Sequence, residues 1–383
     1  MSAAANIKAL RVVLLALVAL VLTAGLAACG SDSGDDDTTS VNAARKARLA
    51  KLERDGTFFS ADSPWNTTVA TLPVSADSEQ MLRLARKRQA VIELPGEEGV
   101  DTVERTVKKG FQINAERWAP LVVEAGGNNV VSTKMVCRQS ECGPQAERVP
   151  ATLALPPETR PDPRYDGWLS VIDRENGIGY DFWRARRQSD DTISYQYAKT
   201  WKLDGPGFSR PVSEDPLRAA GARGSGLPLF AGVIGPAELQ KGEINHALAL
   251  SVPGLARRNY VQPASVTDGV GPIDSLPAGA RIRLKDTALL DDPPGEMRPS
   301  VEAILVALRS YGAIIVDRAA VPTLYAAQGT PPNLLREDEL DWLHLDDFEV
   351  VELPQLRQDP PLGQVQQYGL ASTGAPRPVG SGG

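Results

Sequence analysis

The amino-acid sequence predicts a mainly β fold, with a β-sandwich or barrel-like core and a few peripheral α-helices (α+β). Three observations favour this fold class. Short apolar runs alternate with turn signals along the middle of the chain, long helical patterns are few, and 30 prolines with 34 glycines among 383 residues indicate many turns. Short strands separated by turns are typical of sandwiches and barrels. The hydrophobic content of 42% is sufficient for a buried core.

The chain divides into four parts. Residues 1–28 have the organisation of a signal peptide, and residues 29–55 contain an acidic spacer followed by a short basic helix. Residues 56–355 carry the strand patterns and are predicted to form a single β-rich globular domain. Residues 356–383 are rich in Pro, Gln and Gly, which predicts a disordered tail.

The N-terminus contains the three regions of an export signal. Lys8 and Arg11 supply positive charge, the run from Val12 to Leu22 is apolar, and small residues precede the cysteine in Leu26-Ala27-Ala28-Cys29. This run resembles the lipobox of bacterial lipoprotein precursors. The resemblance implies cleavage before Cys29, acylation of its thiol by chains such as palmitate, and lipid anchoring at the extracytoplasmic face of the cell membrane. An uncleaved transmembrane helix and an ordinary secretory peptide are the alternatives.

A helix and a hairpin are the first elements predicted within the domain. The segment from Asp77 to Gln80 matches a capping box, and the apolar residues after it continue as a helix. Two extended runs, residues 120–125 and 129–136, flank Gly126-Gly127-Asn128. This arrangement predicts a β-hairpin.

Cys137 and Cys142 are the cysteines that remain once Cys29 is assigned to lipid. Their spacing closes a small loop and an exported protein meets an oxidising environment, so we expect a disulfide. A metal pair is the alternative. It would need further ligands, and His246 and His344 are the only histidines of the chain. The sequence therefore predicts no metal.

The centre of the domain is predicted to be a succession of strands. Residues 167–173 and 178–186 flank Glu175-Asn176-Gly177. Asn-Gly is a strong hairpin signal because both residues tolerate a positive φ. Further strands are predicted at residues 192–203, 244–252 and 280–285.

The C-terminal part of the domain changes to helical patterns. Apolar residues from Val301 to Tyr311 recur at helical spacing after Ser300, a candidate N-cap, and Gly312 suits the C′ position. The run from Ala313 to Asp317 predicts a buried strand. A second helix is predicted from Asn333 to about Trp342.

Several distinctive segments occur between Ser63 and Asp317. They are Ser63-Pro64-Trp65-Asn66, Val171-Ile172-Asp173, Tyr180-Asp181-Phe182-Trp183-Arg184-Ala185, Gly221 to Leu229, Ile244-Asn245-His246-Ala247-Leu248, Thr267-Asp268-Gly269, Pro277 to Arg281 and Tyr311-Gly312. These segments resemble landmarks of an exported actinobacterial protein family of unknown function. The resemblance implies an extracytoplasmic location and one extended domain, and it implies no particular activity.

The net charge and the absence of known motifs limit the ligands and cofactors that the protein is expected to bind. The net charge of −7 disfavours nucleic acid as a partner. The sequence contains no P-loop, dinucleotide fingerprint, Gly-x-Ser-x-Gly elbow or His-Glu-x-x-His motif, so no cofactor is predicted. The expected partners are a membrane, through the lipid anchor, and a polysaccharide.

One set of candidate site residues centres on His246, a candidate catalytic base because imidazole transfers protons near neutral pH. Arg223 lies in a glycine-rich loop that we expect near His246, and it is a candidate carboxylate binder. Tyr180 is an alternative proton carrier, and Asp173 is a candidate to orient the base. The alternative for His246 is a structural hydrogen bond within a sheet, to one of Asp173, Asp181, Asp268 and Asp317.

Aromatic and basic residues of the central strands form the second set of candidates. Trp183, Trp201 and Tyr195, together with Arg184, would line a groove in which sugar rings stack on aromatic rings and carboxylates meet guanidinium groups. Core packing is the alternative for these aromatic residues. Two functions therefore stay open: engagement of cell-envelope or extracellular polysaccharide, and cleavage of polysaccharide by a lyase or glycosidase mechanism.

The export signal makes a testable prediction about the mature chain. We expect mass spectrometry of the membrane fraction to find a chain that begins at an acylated Cys29, because the lipobox resemblance implies both cleavage and lipidation. An intact, unmodified precursor in the soluble cell interior would contradict this prediction.

Overall fold

Strands outnumber helices throughout the part of the chain that the structure describes. The structure is a computed structural model, and it describes residues 57–93, 100–286 and 296–359. The mainly β, α+β fold class predicted from the sequence is confirmed. The predicted signal peptide, Cys29 and the acidic spacer lie outside the described residues.

The strands are β1 (Lys87–Glu93), β2 (Val100–Thr106), β3 (Gln112–Asn114), β4 (Leu121–Glu124), β5 (Val131–Cys137), β6 (Thr152–Leu155), β7 (Leu169–Asp173), β8 (Ile178–Trp183), β9 (Arg186–Arg187), β10 (Ile193–Tyr195), β11 (Tyr197–Lys202), β12 (Leu248–Val252), β13 (Asn259–Tyr260), β14 (Arg281–Leu284), β15 (Ala313–Arg318), β16 (Thr323–Tyr325), β17 (Phe348–Val350) and β18 (Arg357–Gln358). The α-helices are α1 (Ser78–Ala85), α2 (Pro216–Ala219), α3 (Pro236–Lys241) and α4 (Pro299–Ser310).

A six-stranded mixed sheet has the strand order β17-β14-β15-β12-β16-β3. Its central strands β12 and β15 are parallel and buried along almost their whole length. Their near-continuous apolar sequences suit strands that are covered on both faces. Helix α4 supplies part of that cover, since its residues Val301, Ile304 and Leu308 share a core cluster with Leu250 and Ile315.

Two four-stranded sheets accompany the large one, with strand orders β11-β8-β7-β4 and β6-β5-β10-β9. The β7–β8 hairpin turns at Asn176-Gly177, as predicted, and Gly177 has a φ of 63°. The two sheets share a second core cluster, in which Val171 and Phe182 of one sheet meet Leu155 and Ile193 of the other. All described residues belong to one compact unit.

Several local expectations were wrong. Strands β4 and β5 do not form a hairpin, because β4 pairs in parallel with β7 whereas β5 pairs with β6 and β10. The predicted strand 192–203 is divided between β10 and β11, which lie in different sheets. Residues 333–342 form turns rather than a helix. Strand pairing depends on partners that are distant in sequence. Local patterns therefore identify which residues form a strand better than they identify the strand with which it pairs.

Helix ends and the tail also differ from the expectations. Helix α1 begins after Asp77 as predicted, but the Asp77 side chain makes no capping hydrogen bond. Helix α4 is preceded by Arg298, and Ser300 lies inside it. Strand β18, at residues 357–358, pairs with β13, and residues 360–383 of the predicted tail lie outside the described residues. None of the helices in the described ranges combines the length and apolar character needed to cross a bilayer.

The loop after α4 gives a prediction about stability. Gly312 has a φ of 69°, and a Cβ there would lie 2.3 Å from the carbonyl oxygen of Ile282. We expect Gly312→Ala to lower the free energy of unfolding by about 1–2 kcal/mol for the positive φ and by about 1–3 kcal/mol more for the clash. Gly329→Ala is the control, since Gly329 has a φ of 84° with nothing within 4 Å of the added Cβ. Chemical denaturation of both variants measures the difference, and equal losses would contradict the role of the clash.

Candidate functional site

A cavity of about 620 Å³ opens between the six-stranded sheet and the β11-β8-β7-β4 sheet. One wall comes from β3, β15 and β16 of the larger sheet, and the other comes from residues at the ends of β7, β8 and β11. Loop residues from Gly221 to Gly224 and Asp268 complete it. The cavity is within the usual size range of small-molecule sites, roughly 300–1,000 Å³.

Strand alternation explains which residues face the cavity from β3 and β16. Side chains two residues apart on a strand point to the same face of a sheet. Ile113 and Leu324 are buried in the core, so their neighbours face the opposite way. The parallel register aligns Gln112 with Thr323 and Asn114 with Tyr325, and all four side chains line the cavity.

Arg223 and Asp317 form the charged floor of the cavity. The Arg223 side chain is fully buried, its Nη1 lies 3.7 Å from Asp317 Oδ2, and its Nη2 donates to the Leu229 carbonyl at 2.9 Å. The guanidinium packs over the rings of Trp168 and Tyr325, 5.5 Å and 4.7 Å from their centroids. Arg223 Nε and Nη1 make no hydrogen bond in the structure. The cavity floor therefore holds a cation stabilised mainly by one carboxyl group and two aromatic faces.

Three aspartates line the cavity. Asp317 follows the apolar part of β15, and burial together with the charge of Asp268 raises the pKa of Asp317 to about 8. Burial also raises the pKa of Asp268, although Arg318 opposes this through an ion pair of 3.3 Å between Arg318 Nε and Asp268 Oδ2. Asp166, a third lining residue, has its pKa raised by burial as well. Carboxyl groups whose surroundings favour retention of a proton are candidates for acid–base chemistry.

Aromatic rings form much of the remaining surface. Trp118 is 41% exposed and packs edge to face on Tyr165 at 5.6 Å. Trp183, at the end of β8, lies across from Tyr197 in the β8–β11 register, and both line the cavity. Trp168 is buried, and its Nε1 has no hydrogen-bond partner in the structure. The walls therefore offer flat apolar faces beside polar groups.

A buried lysine holds the loop that carries Arg223 from the side away from the cavity. Lys199 Nζ donates to the carbonyls of Ala220 at 2.8 Å and Gly226 at 3.0 Å. Tyr197 donates its hydroxyl to Ala220, and Ser265 donates to Ala219. Burial lowers the pKa of Lys199 to about 7, against the opposing charge of Asp181. These hydrogen bonds fix the position of the loop relative to the β11-β8-β7-β4 sheet.

Asp181 joins this support to the cavity floor. Its carboxylate accepts hydrogen bonds from Ser170 at 2.6 Å, Trp201 Nε1 at 2.7 Å and the Leu229 amide at 2.8 Å. Burial raises the pKa of Asp181 to about 6 despite those three bonds. Because the carbonyl of Leu229 accepts from Arg223, the Leu229 residue connects the two charged groups.

Only part of the predicted site is brought together at the cavity. Arg223 and Trp183 line it, and Arg184 stacks on Trp183 at 4.9 Å. The other aromatic candidates are buried. Tyr180 and Tyr195 belong to a core cluster, and Trp201 donates to Asp181. Core packing, the alternative stated for these residues, accounts for their positions.

Asp173 and His246 lie away from the cavity. Asp173 accepts from the amide and side chain of Asn176, so it fixes the β7–β8 turn. His246 places Nδ1 3.0 Å from the Ala247 carbonyl and Nε2 2.9 Å from Glu238 Oε1. Two acceptors require both ring nitrogens to donate, which describes a protonated imidazolium. The hydrogen bond to Asp173, Asp181, Asp268 or Asp317 that the sequence suggested is replaced by one to Glu238, and the loop of Arg223 faces Asp317 instead of His246.

The disulfide predicted from the sequence is present between Cys137 and Cys142, whose Cα atoms are 5.8 Å apart. It lies at the end of β5 rather than at the cavity. Within the described ranges, no three His, Cys, Asp or Glu residues are arranged to hold a metal ion.

Sequence reasoning missed the principal cavity residues. Asp317 and Asp268 entered only as partners for a histidine, and Trp118 and Tyr325 were not considered. Asp317 carried one usable signal, since it is a carboxylate directly after the buried apolar run of β15. The polar faces of β3 and β16 carried almost none, because each strand is three residues long. Comparison with family models, with curated proteins and with solved structures found no match for this chain.

The imidazolium of His246 gives a prediction about pH. Burial lowers the pKa of His246, but the charge and hydrogen bond of Glu238 and the Ala247 carbonyl outweigh it, so the net direction is upward. A raised pKa means that the pair stabilises the fold below the unfolded pKa of about 6.5 and that this contribution is lost as the pH rises through the folded pKa. We expect Glu238→Gln to cost about 1.5–3 kcal/mol at pH 5.5 and much less at pH 9, measured by denaturation.

Glu243→Gln is the matched control, because Glu243 pairs with Lys241 rather than with a histidine. Its effect on the free energy of unfolding should be small and nearly constant. A Glu238→Gln effect of equal size at both pH values would show that His246 is not protonated against Glu238.

Proposed function

We propose that this protein is a lipid-anchored extracytoplasmic protein that binds a glycan in the cavity between the two sheets. The observation that supports glycan binding most directly is the exposure of Trp118 in a cavity that is also lined by Trp183 and by several polar or charged residues. An apolar ligand would leave those polar groups without partners, at a free-energy cost. A saccharide satisfies both kinds of surface.

Saccharides present two chemically different surfaces. The C–H face of a pyranose ring is apolar and stacks on an aromatic ring, whereas its hydroxyl groups donate and accept hydrogen bonds. The cavity provides the matching set, with Gln112, Asn114 and Glu337 as polar groups beside the tryptophans. A few well-placed polar groups in a largely formed, partly aromatic cleft are typical of ligand sites.

The charges favour a saccharide that carries acidic groups. Arg117 lies at the cavity near Tyr165, 5.7 Å above that ring, and Arg318 lines the wall. A guanidinium binds a carboxylate through paired hydrogen bonds. Arg223 and Arg318 already contact the acidic residues of the floor, and Gly224 donates to one of them. Arg117 is therefore the arginine that we expect to bind a carboxylate of the ligand.

The location belongs to the proposal too. Its support is the lipobox resemblance that ends at Cys29, together with the resemblance of the domain to exported proteins. The disulfide between Cys137 and Cys142 is consistent with an oxidising compartment. In this setting, cell-envelope or extracellular polysaccharide is the ligand to which the cavity has access.

Glycan binding is tested by replacing two tryptophans that line the cavity, Trp118 and Trp183. We expect Trp118→Ala and Trp183→Ala each to weaken binding by about 10-fold, since a ring contact contributes roughly 0.5–1.5 kcal/mol beyond its buried area. The assay is calorimetric titration of the full chain in detergent with hexasaccharides of four kinds: cellohexaose, mannohexaose, chitohexaose and hexagalacturonate.

Leu356→Ala is the control, because Leu356 is 50% exposed and does not line the cavity. It should leave the affinity unchanged. Binding that survives both tryptophan substitutions would place the glycan elsewhere, and binding of none of the four hexasaccharides would contradict the proposed function.

A further inference from the structure

Asp317 and Asp268 meet at one residue of the cavity wall, Gly224. The Gly224 amide donates to Asp317 Oδ1 at 2.6 Å. A Cβ on Gly224 would lie 2.2 Å from Cγ of Asp268, so the absence of a side chain is what allows that carboxyl group to approach. All three residues line the cavity. The two carboxyl groups therefore lie against the same residue, Asp317 at the Gly224 amide and Asp268 at the position that a Cβ would occupy.

In each carboxyl group, one oxygen has a polar partner and the other oxygen makes no hydrogen bond. Asp317 Oδ1 is fixed by Gly224, while Asp317 Oδ2 makes no hydrogen bond and the side chain is 9% exposed. Asp268 Oδ2 is held by Arg318, while Asp268 Oδ1 has no hydrogen-bond partner. Buried polar atoms normally find partners, and those that do not are frequent at functional sites.

The surroundings of the two groups differ in a way that separates their protonation states. Asp317 lies deeper, is approached by Arg223 only at 3.7 Å without a hydrogen bond, and feels the like charge of Asp268. Asp268 is more exposed, at 26% of its side chain, and has Arg318 at 3.3 Å. Two carboxyl groups in unequal environments are the arrangement that yields an acid and a base at one pH.

We propose that Asp317 and Asp268 are the acid and the base of a glycosidic-bond hydrolysis carried out in this cavity. This inference rests on the proposed glycan binding and adds a reaction to it. It assigns the chemistry to a carboxyl pair, in place of His246 and Tyr180, which lie away from the cavity.

The proposed reaction consumes one water molecule. Asp317 donates the proton on Oδ2 to the glycosidic oxygen, the bond from that oxygen to the anomeric carbon breaks, and its electron pair stays with the leaving oxygen. Water adds to the anomeric carbon, and its proton passes to Asp268. Proton exchange with solvent returns Asp268 to its ionised form and Asp317 to its protonated form. The products are two shorter saccharides, one with a new reducing end.

Arg223 and Arg318 act as positioning residues in this scheme. Arg223 stabilises the Asp317 carboxylate that forms when the proton leaves, because the developing charge lies beside a buried cation. Arg318 favours the ionised form of Asp268 in the resting state. Arg223 is preorganised, since it is held by Leu229 and the aromatic rings before any ligand enters.

The test measures reducing ends released by the full chain from each hexasaccharide that it binds by calorimetry. We expect Asp317→Asn and Asp268→Asn to lower kcat/KM by about 10²–10⁴-fold, the usual contribution of general acid–base catalysis, while the affinity for the glycan changes by less than about 10-fold. Asp62→Asn is the matched control, because Asp62 is exposed and does not line the cavity. It should leave both quantities unchanged.

The pH profile keeps the proposal testable if a variant does not fold. In the unmodified chain the basic limb of kcat/KM should fall near pH 8, where Asp317 loses its proton. Full activity in the folded Asp317→Asn or Asp268→Asn variant, or rates that stay flat from pH 6 to 10, would overturn the acid–base assignment. Binding without release of reducing ends would also overturn it and would leave glycan binding intact. Absence of binding would overturn both.

Discussion

The buried contact between Arg223 and Asp317 constrains the rest of the structure. Removing an arginine from water costs several kcal/mol, and this cost is recovered only if its partners are held in good geometry. Arg223 lies 3.7 Å from Asp317 and packs over the rings of Trp168 and Tyr325. These partners come from β15, from β16 and from the segment before β7, so the two large sheets must keep their spacing for the charge to stay compensated.

A second tier of polar contacts supports this arrangement from the side away from the cavity. Asp181 and Lys199 are buried residues of neighbouring strands β8 and β11, and their register places them opposite each other. Asp181 fixes the Leu229 amide, and Lys199 fixes the carbonyls of Ala220 and Gly226. Both ends of the Arg223 loop are thus attached to one sheet. A satisfied polar network of this kind specifies a single arrangement of a loop more than it adds stability.

The unequal treatment of the carboxyl groups follows from the same geometry. Asp181 is fully buried but accepts three hydrogen bonds, and burial raises its pKa only to about 6. Asp317 is also buried, accepts one hydrogen bond and faces Asp268, and its pKa rises further. Asp317 thus differs from Asp181 in two respects that raise its pKa, the like charge of Asp268 and a smaller number of hydrogen-bond donors.

Sequence patterns predicted the local parts of this molecule and missed the nonlocal parts. The β7–β8 turn was predictable because Asn176-Gly177 tolerates positive φ, and α4 was predictable from its apolar spacing. The pairing of β4 with β7 was not, since register and partner choice depend on distant segments. His246 was chosen for its intrinsic pKa, but Glu238 and the Ala247 carbonyl hold both of its ring nitrogens.

The same limit applies to the site. Arg223 was predicted as a ligand-binding residue from its glycine-rich loop, and it does line the cavity. Nothing in the sequence joins it to Asp317, which lies 94 positions later and reaches it only through the position of β15 in the sheet. Gly224 carries the clearest retrospective signal, because its amide donates to Asp317 and any side chain at this position would collide with Asp268.

Carbon-13 NMR of the full chain labelled at aspartate carboxyl carbons measures the protonation state of Asp317 directly. The Asp317→Asn variant assigns the signal. We expect the Asp317 carboxyl signal to titrate with a midpoint near pH 8. A midpoint near pH 4, the value of an unperturbed aspartate of about 3.9, would contradict it.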